Sequence, residues 1–216
     1  MLKLDNKLTN SKRKNVRVIG PDSSVTSLFF NAGFSVDNIK DPDLVVFTGG
    51  ADINPLIYKQ NPIKECGVIF HDRDRREIAA FEKYRDIPKA SICRGAQLLN
   101  VLSGGNMYQH VTGHHGQHQV TNLLKDVYKE NLVTNSCHHQ MMIPGPDGEV
   151  LAFSEKRSTC YLADPEAKLS PPEVDVEVVY YDTTKSLCFQ AHPEWYPAQP
   201  GADCPQYFIK LIQYLL

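Results

Sequence analysis

The sequence predicts an α/β fold, an open and mostly parallel sheet flanked by helices. Three observations carry that expectation. Short β-type runs alternate with amphipathic helical runs, the order that builds parallel sheets from strand–helix units. DLVVFTGG (43–50) is almost continuously apolar and stops at two glycines, as a strand buried on both faces does. KASIC (89–93) is a second buried-looking run, and it passes directly into the helical RGAQLLNVLSGG (94–105).

The remaining elements follow in order. NVRVIG (15–20) reads as a strand, and SSVTSLFFNAG (23–33) as a helix with the stripe Val25, Leu28 and Phe29, ended by Gly33. RDRREIAAFEKYRD (73–86) places charges of both signs around Ile78, Ala79, Phe81 and Tyr84, and ends before Ile87-Pro88, the pattern of a surface helix. Residues 106–146 are rich in histidine and loop-like, with NLLKDVY as a short element, and are expected on the surface above the strand ends. EVLAFSE (149–155), CYLA (160–163), VDVEVVYYD (174–182) and SLCFQAH (186–192) read as strands, with KLSPPE as a turn. PQYFIKLIQYLL (205–216) closes the chain as a helix burying Phe208, Leu211, Ile212 and Leu215. The expected division is a polar segment over 1–14 and one domain over 15–216, a length that suits a single core.

Composition narrows the function classes. With 23 Lys+Arg against 25 Asp+Glu, the net charge of −2 provides no global basic field for nucleic acid or an acidic membrane. The first fifteen residues lack the apolar core of a signal peptide, and no later run approaches membrane-spanning length, so a cytoplasmic address is expected. Six cysteines without a C-x-x-C pair read as reduced thiols, with neither a disulfide framework nor a structural zinc.

The chemistry centres on SICRGAQ (91–97). Cys93 falls at a strand-to-helix junction, where the helix dipole and free backbone N–H groups favour thiolate, and Gly95 and Ala96 allow a sharp turn. Position alone leaves a nucleophile and a buried structural cysteine about equally good readings. His192 is the best base among eight histidines, since it ends a buried-looking strand. If the chain stays extended there, Glu194 points to the same side and can hold one ring nitrogen, leaving the other for Cys93. The Gly49-Gly50 strand end offers unhindered N–H groups for an oxyanion, with the Arg94 N–H as second donor. Taken by itself, such a Gly-Gly is most often a turn.

Together these pieces resemble a family, the class I glutamine amidotransferase-like proteins of flavodoxin-like fold. Within it the resemblance is to the peptidase C26-like γ-glutamyl hydrolase group that includes γ-glutamyl-γ-aminobutyrate hydrolase. The matching stretches are GGADINPLIY (49–58), RDRREIAAF (73–81), ICRGAQLLNVLSGGNMYQ (92–109), HQV (118–120), NSCHHQ (135–140) and HPEW (192–195), in family order. The resemblance implies that Cys93 attacks the γ-carbonyl of glutamine or a small γ-glutamyl amide, and that His192, oriented by Glu194, protonates the leaving amine. It implies Gly50 and Arg94 as oxyanion donors, and Gly49, Gln97, Ser136, Cys137 and His138 around the glutamyl group. No cofactor is implied. A synthetase partner enters only if the chain is a glutaminase that supplies ammonia to it.

The sequence departs from the family pattern at Ser91, where a glycine is usual, and over RSTCYLADPEAKLSPPE (157–173), where a DG-x-x-EA-type motif is usual. Arg73 and Glu77 read as an i, i+4 surface pair. The cluster His110, His114, His115 and His118 invites a metal site. That reading is set aside, because no neighbouring carboxylate or cysteine pattern completes it and loop histidines are commonly solvated. The expected metal content is none.

Overall fold

The computed structural model describes residues 13–36, 40–195 and 203–216, so nearly all of the polar segment expected over 1–14 lies outside the described residues. In chain order the elements are β1 (Val16–Ile19), α1 (Ser23–Asn31), β2 (Leu44–Phe47), α2 (His71–Lys83), β3 (Lys89–Ile92) and α3 (Arg94–Leu102). Then come β4 (Asn106–Tyr108), β5 (His110–Val111), β6 (His115–Asn122), β7 (Asn131–Cys137), β8 (Met141–Ile143) and β9 (Glu149–Glu155). The chain finishes with β10 (Tyr161–Leu162), β11 (Val174–Tyr181), β12 (Ser186–Phe189) and α4 (Cys204–Leu215).

Eight strands form one sheet in the order β1-β2-β3-β12-β11-β9-β6-β7. The first four pair in parallel and the rest antiparallel. Strands β1, β2, β3, β12, β9 and β7 therefore run one way, and only β11 and β6 run the other. This is the expected α/β flavodoxin-like architecture, and the ends of strands in its parallel half carry the candidate residues Cys93 and His192.

Two apolar cores explain why the central strands read as continuous apolar runs. In β2, Leu44 and Val46 belong to the core beneath α1 and α4, whereas Val45 and Phe47 belong to the core beneath α2 and α3. Alternate residues of a strand face opposite ways, so a strand covered by helices on both sides needs an apolar side chain at every position. The α1 stripe buries Val25 and Phe29 and is started by Asp22, whose carboxylate accepts the Ser24 and Val25 N–H groups. In α4, Phe208, Leu211 and Ile212 are buried and Leu215 only partly so.

One expectation fails over a long stretch. Residues 106–146 are not a surface loop: they hold five strands, β4 to β8, and His114, His118 and His138 in them are buried. NLLKDVY forms turns between β6 and β7 and no regular element. Polar residues at buried positions hid β6 and β7, because only Val120 and Leu132 among their buried residues are aliphatic and the rest are histidine, asparagine, threonine and serine. Among the described residues no helix is long and apolar enough to cross a membrane.

Candidate active site

The parallel strands end side by side, and the turns after β2, β3 and β12 converge. Cys93 follows β3 with φ +49° and ψ −111°, a strained setting for a residue that is not glycine. The turn can close because the next position but one is Gly95: a Cβ there would lie 2.5 Å from the Phe47 carbonyl oxygen. The strand-to-helix junction anticipated at Cys93 is thus a tight elbow packed on the end of β2. Ser91, the departure from the family pattern, sits one strand position before Ile92 and donates its hydroxyl to the Leu187 carbonyl at 2.8 Å. It bonds within the sheet and leaves the elbow alone.

His192 lies just past β12, and Cys93 is among the groups beside it that favour its charged form. Its ring nitrogen Nδ1 meets Glu194 Oε1 at 2.7 Å. The premise of an extended backbone is corrected, because residues Pro193–Trp195 form a 3₁₀ turn. The carboxylate reaches the ring by curling back, not by lying two residues along a strand. Burial disfavours charge on His192, but Cys93 and Glu194 outweigh burial and raise it to about 10. A ring so placed keeps its proton at neutral pH.

Of three neighbours that hold His192 in place, Asn135 and Trp195 were not singled out in the sequence, whereas Gly49 was expected at the glutamyl group. The Asn135 side chain clamps its backbone, donating to the His192 carbonyl at 2.7 Å and accepting the His192 N–H at 2.8 Å. Trp195 stacks on the imidazole, with ring centroids 3.8 Å apart and planes within 7°. Gly49 lies against both reactive side chains: a Cβ there would stand 3.2 Å from His192 Cε1 and 3.6 Å from Cys93 Cβ. Asn135 and Trp195 lie inside the stretches NSCHHQ and HPEW, but nothing in their spacing revealed these contacts.

The Arg73–Glu77 pair is also corrected. It is no surface pair: the Glu77 side chain is 2 % exposed and Arg73 14 %. Arg73 Nε bonds Glu77 Oε1 at 2.7 Å, while Nη2 donates to the Gly49 carbonyl at 2.8 Å and to the Thr48 carbonyl at 3.1 Å. Glu77 also pairs through its second oxygen with the Arg94 guanidinium, which in turn pairs with Asp74. A trans peptide sets N–H opposite C=O, so fixing the Gly49 carbonyl fixes the direction of the Gly50 N–H. Gly50 itself has φ +146°, and a Cβ on it would meet Arg73 Nη1 at 2.2 Å. One carboxylate, Glu77, thereby ties together the two segments that carry the Gly50 and Arg94 N–H groups.

The residues expected around a glutamyl group are less uniform. Gln97 is buried, donating to the Gln140 carbonyl at 3.2 Å and to Gln190 Oε1 at 3.4 Å. Ser136 donates to the His114 carbonyl at 2.9 Å, Cys137 is exposed, and His138 is buried with Nδ1 on the Gln140 carbonyl at 2.8 Å. Burial and the neighbouring His114 keep His138 well below the usual imidazole range. All six cysteines are free. A hollow of about 750 Å³ lies between α1 and α4 and is lined by Glu194, but by neither Cys93 nor His192.

The fold agrees with that of known proteins. Structures resembling this one include a protein described as a GMP synthase subunit, from Thermoplasma acidophilum, with a TM-score of 0.63 at 17 % identity over 94 % of this chain and 96 % of that one. A chain of PurLQS from Thermotoga maritima gives a TM-score of 0.60 at 16 % identity, over 95 % and 100 %. At these identities the likeness is one of fold.

The Peptidase C26 family model matches residues 33–156, more than half of the chain, and the chain belongs to that family. A glutamine amidotransferase-like protein of Lactococcus lactis subsp. cremoris is 33 % identical over 129 residues, 49 % of this chain and 69 % of the relative. The protein NtpR of Enterococcus hirae is 30 % identical over 134 residues, 52 % of this chain and 56 % of that protein. The matched part spans little more than half the length of several such relatives. The family and its relatives are those of a class I amidotransferase-type hydrolase.

Proposed function

We propose that the protein is a cysteine hydrolase that cleaves a γ-glutamyl amide and releases glutamate and an amine. The observation that carries this reading is the buried Cys93–His192–Glu194 chain at converging strand ends, with Cys93 held at positive φ. The Cys93 thiolate adds to the γ-carbonyl carbon, and the electron pair moves onto oxygen, where the Gly50 and Arg94 N–H groups receive it. As the carbonyl reforms, the C–N bond breaks and the amine leaves with the proton of His192. Neutral His192 then takes a proton from water, whose oxygen attacks the γ-glutamyl thioester and expels the thiolate. Glu194 favours the charged ring and fixes its tautomer throughout.

A second reading is worth testing because two structural neighbours carry the names of PurLQS and of a GMP synthase subunit. In it the chain is a glutaminase that passes ammonia to a separate synthetase. Release of glutamate from glutamine and a panel of γ-glutamyl amines, with and without cell extract, separates the two. The hydrolase reading expects turnover of at least one γ-glutamyl amine by the purified chain. Silence on the whole panel with extract present would defeat both.

The pH profile provides a further check. In the wild type, kcat/KM should hold through neutral pH and fall as the pH approaches about 10, where His192 loses its proton. Glu194→Gln removes the charge that favours the imidazolium, so the alkaline fall should move to lower pH. An alkaline limb at the same pH in both proteins would contradict the assignment of Glu194.

A further inference from the structure

We propose that His114, His138 and Glu177 form a binding site for one divalent transition-metal ion of the zinc type. His114 precedes β6, His138 follows β7 and Glu177 lies in β11, and they are 0, 5 and 2 % exposed. Each offers one ligand atom, and the three atoms lie within 4.8 Å of one another.

The hydrogen-bond pattern says which atoms these are. The Gln140 carbonyl can only accept, so the 2.8 Å contact puts the hydrogen of His138 on Nδ1 and leaves a lone pair on Nε2. The Asp175 oxygen facing His114 already accepts the Arg157 and Ser158 N–H groups, so it accepts again from His114 Nε2 at 2.9 Å. That leaves the lone pair of His114 on Nδ1, the nitrogen 3.7 Å from Glu177. Glu177 Oε1 faces His118 Nε2 at 2.9 Å, and Oε2 has no partner. His114 Nδ1, His138 Nε2 and Glu177 Oε2 are thus all buried, all without a hydrogen-bond partner among the described residues, and all acceptors.

Three lone pairs converging in a buried space repel unless a cation lies among them. Two imidazole nitrogens and one carboxylate select zinc-like ions over magnesium or calcium, which prefer oxygen. Ligand atoms around tetrahedral zinc stand about 3.4 Å apart, so the set would draw in a little around an ion. The outer partners are those that metal-binding histidines use: a carboxylate on His114 and a backbone carbonyl on His138. The carboxylates missing from the histidine run 110–118 come from β11, across the sheet. The ion would pin β6, β7 and β11 behind the wall that carries Asn135, and the inference stands whether or not the hydrolase reading does.

The test is metal analysis and cobalt(II) titration of the full chain, purified without a histidine tag. Expected are about one zinc per chain, visible cobalt bands of a low-coordinate nitrogen and oxygen site, and no thiolate-to-cobalt charge transfer. Glu177→Gln, nearly isosteric, and His138→Ala should each lower zinc affinity at least about tenfold, while Cys93→Ala should retain it. Should a variant fail to fold, thermal melting of the wild type decides, with a zinc-dependent rise expected. Absence of stoichiometric zinc and of that rise, thiolate charge transfer, or unchanged affinity in Glu177→Gln would each overturn the proposal. The first of these would leave a shared proton to separate the three acceptors.

Discussion

Cys93→Ala is expected to lower hydrolysis of any γ-glutamyl substrate by about 10,000-fold or more while leaving the fold intact. Removing the nucleophile of a triad leaves only the residual catalysis of oxyanion donors and binding. The fold should survive because alanine removes a single sulfur atom and retains the Cβ that the turn already accommodates. Positive φ at this residue costs stability, so a glycine there should, if anything, stabilise the elbow. Activity measured beside circular dichroism and melting checks both halves. Retained hydrolysis would remove Cys93 from the mechanism.

The second large effect is expected at Glu77, which lies outside the Cys93–His192–Glu194 constellation and bonds Arg73 and Arg94. Its carboxylate is the shared partner of Arg73 and Arg94, and the Arg94 side chain is 2 % exposed. Glu77→Ala leaves two guanidinium groups short of their counter-charge in a buried place, which costs about 3–5 kcal/mol. In a chain of this size, about 2–4 °C of melting temperature is lost per kcal/mol, so the fall should exceed about 6 °C. The same change frees the Gly49 carbonyl from an anchored Arg73. We therefore expect kcat to fall more than KM rises in whatever fraction remains folded. Glu77→Gln, which keeps the shape and loses the charge, should be intermediate. A melting temperature within about 1 °C of wild type for Glu77→Ala would contradict the network's role.

The parallel half of the sheet was legible because its physics is local. A strand covered on both faces must be apolar throughout, and a helix between sheet and solvent must be amphipathic, so β1 to β3, α1 to α4 and β12 stand out in the sequence. The antiparallel half was only partly so: β9 and β11 read as strands, whereas β6 and β7 bury His118, Asn122, Thr134, Asn135 and Ser136 and so mimic a polar loop. Their burial becomes tolerable only once Glu177, Tyr207 and the His192 backbone arrive from elsewhere to bond them. The same non-local pairing hid the Arg73–Glu77–Arg94–Asp74 network, since an i, i+4 pair looks alike on a solvated face and under a sheet edge. For the candidate site, Cys93 and His192 were read from their places at strand ends and Glu194 from its spacing to His192, and the structure brings His192 and Glu194 together. The route from Glu194 to the ring was misjudged, because a 3₁₀ turn leaves no periodicity in three residues.

The central claim is that Cys93 is the nucleophile toward a γ-glutamyl carbonyl. The most direct measurement is peptide mapping after the chain meets a glutamine-analogue electrophile, with glutamine or a γ-glutamyl amine as competitor. The account predicts modification confined to Cys93 and slowed by the competitor. Labelling at Cys137 or Cys66, or labelling of Cys93 that the competitor leaves unchanged, would contradict it.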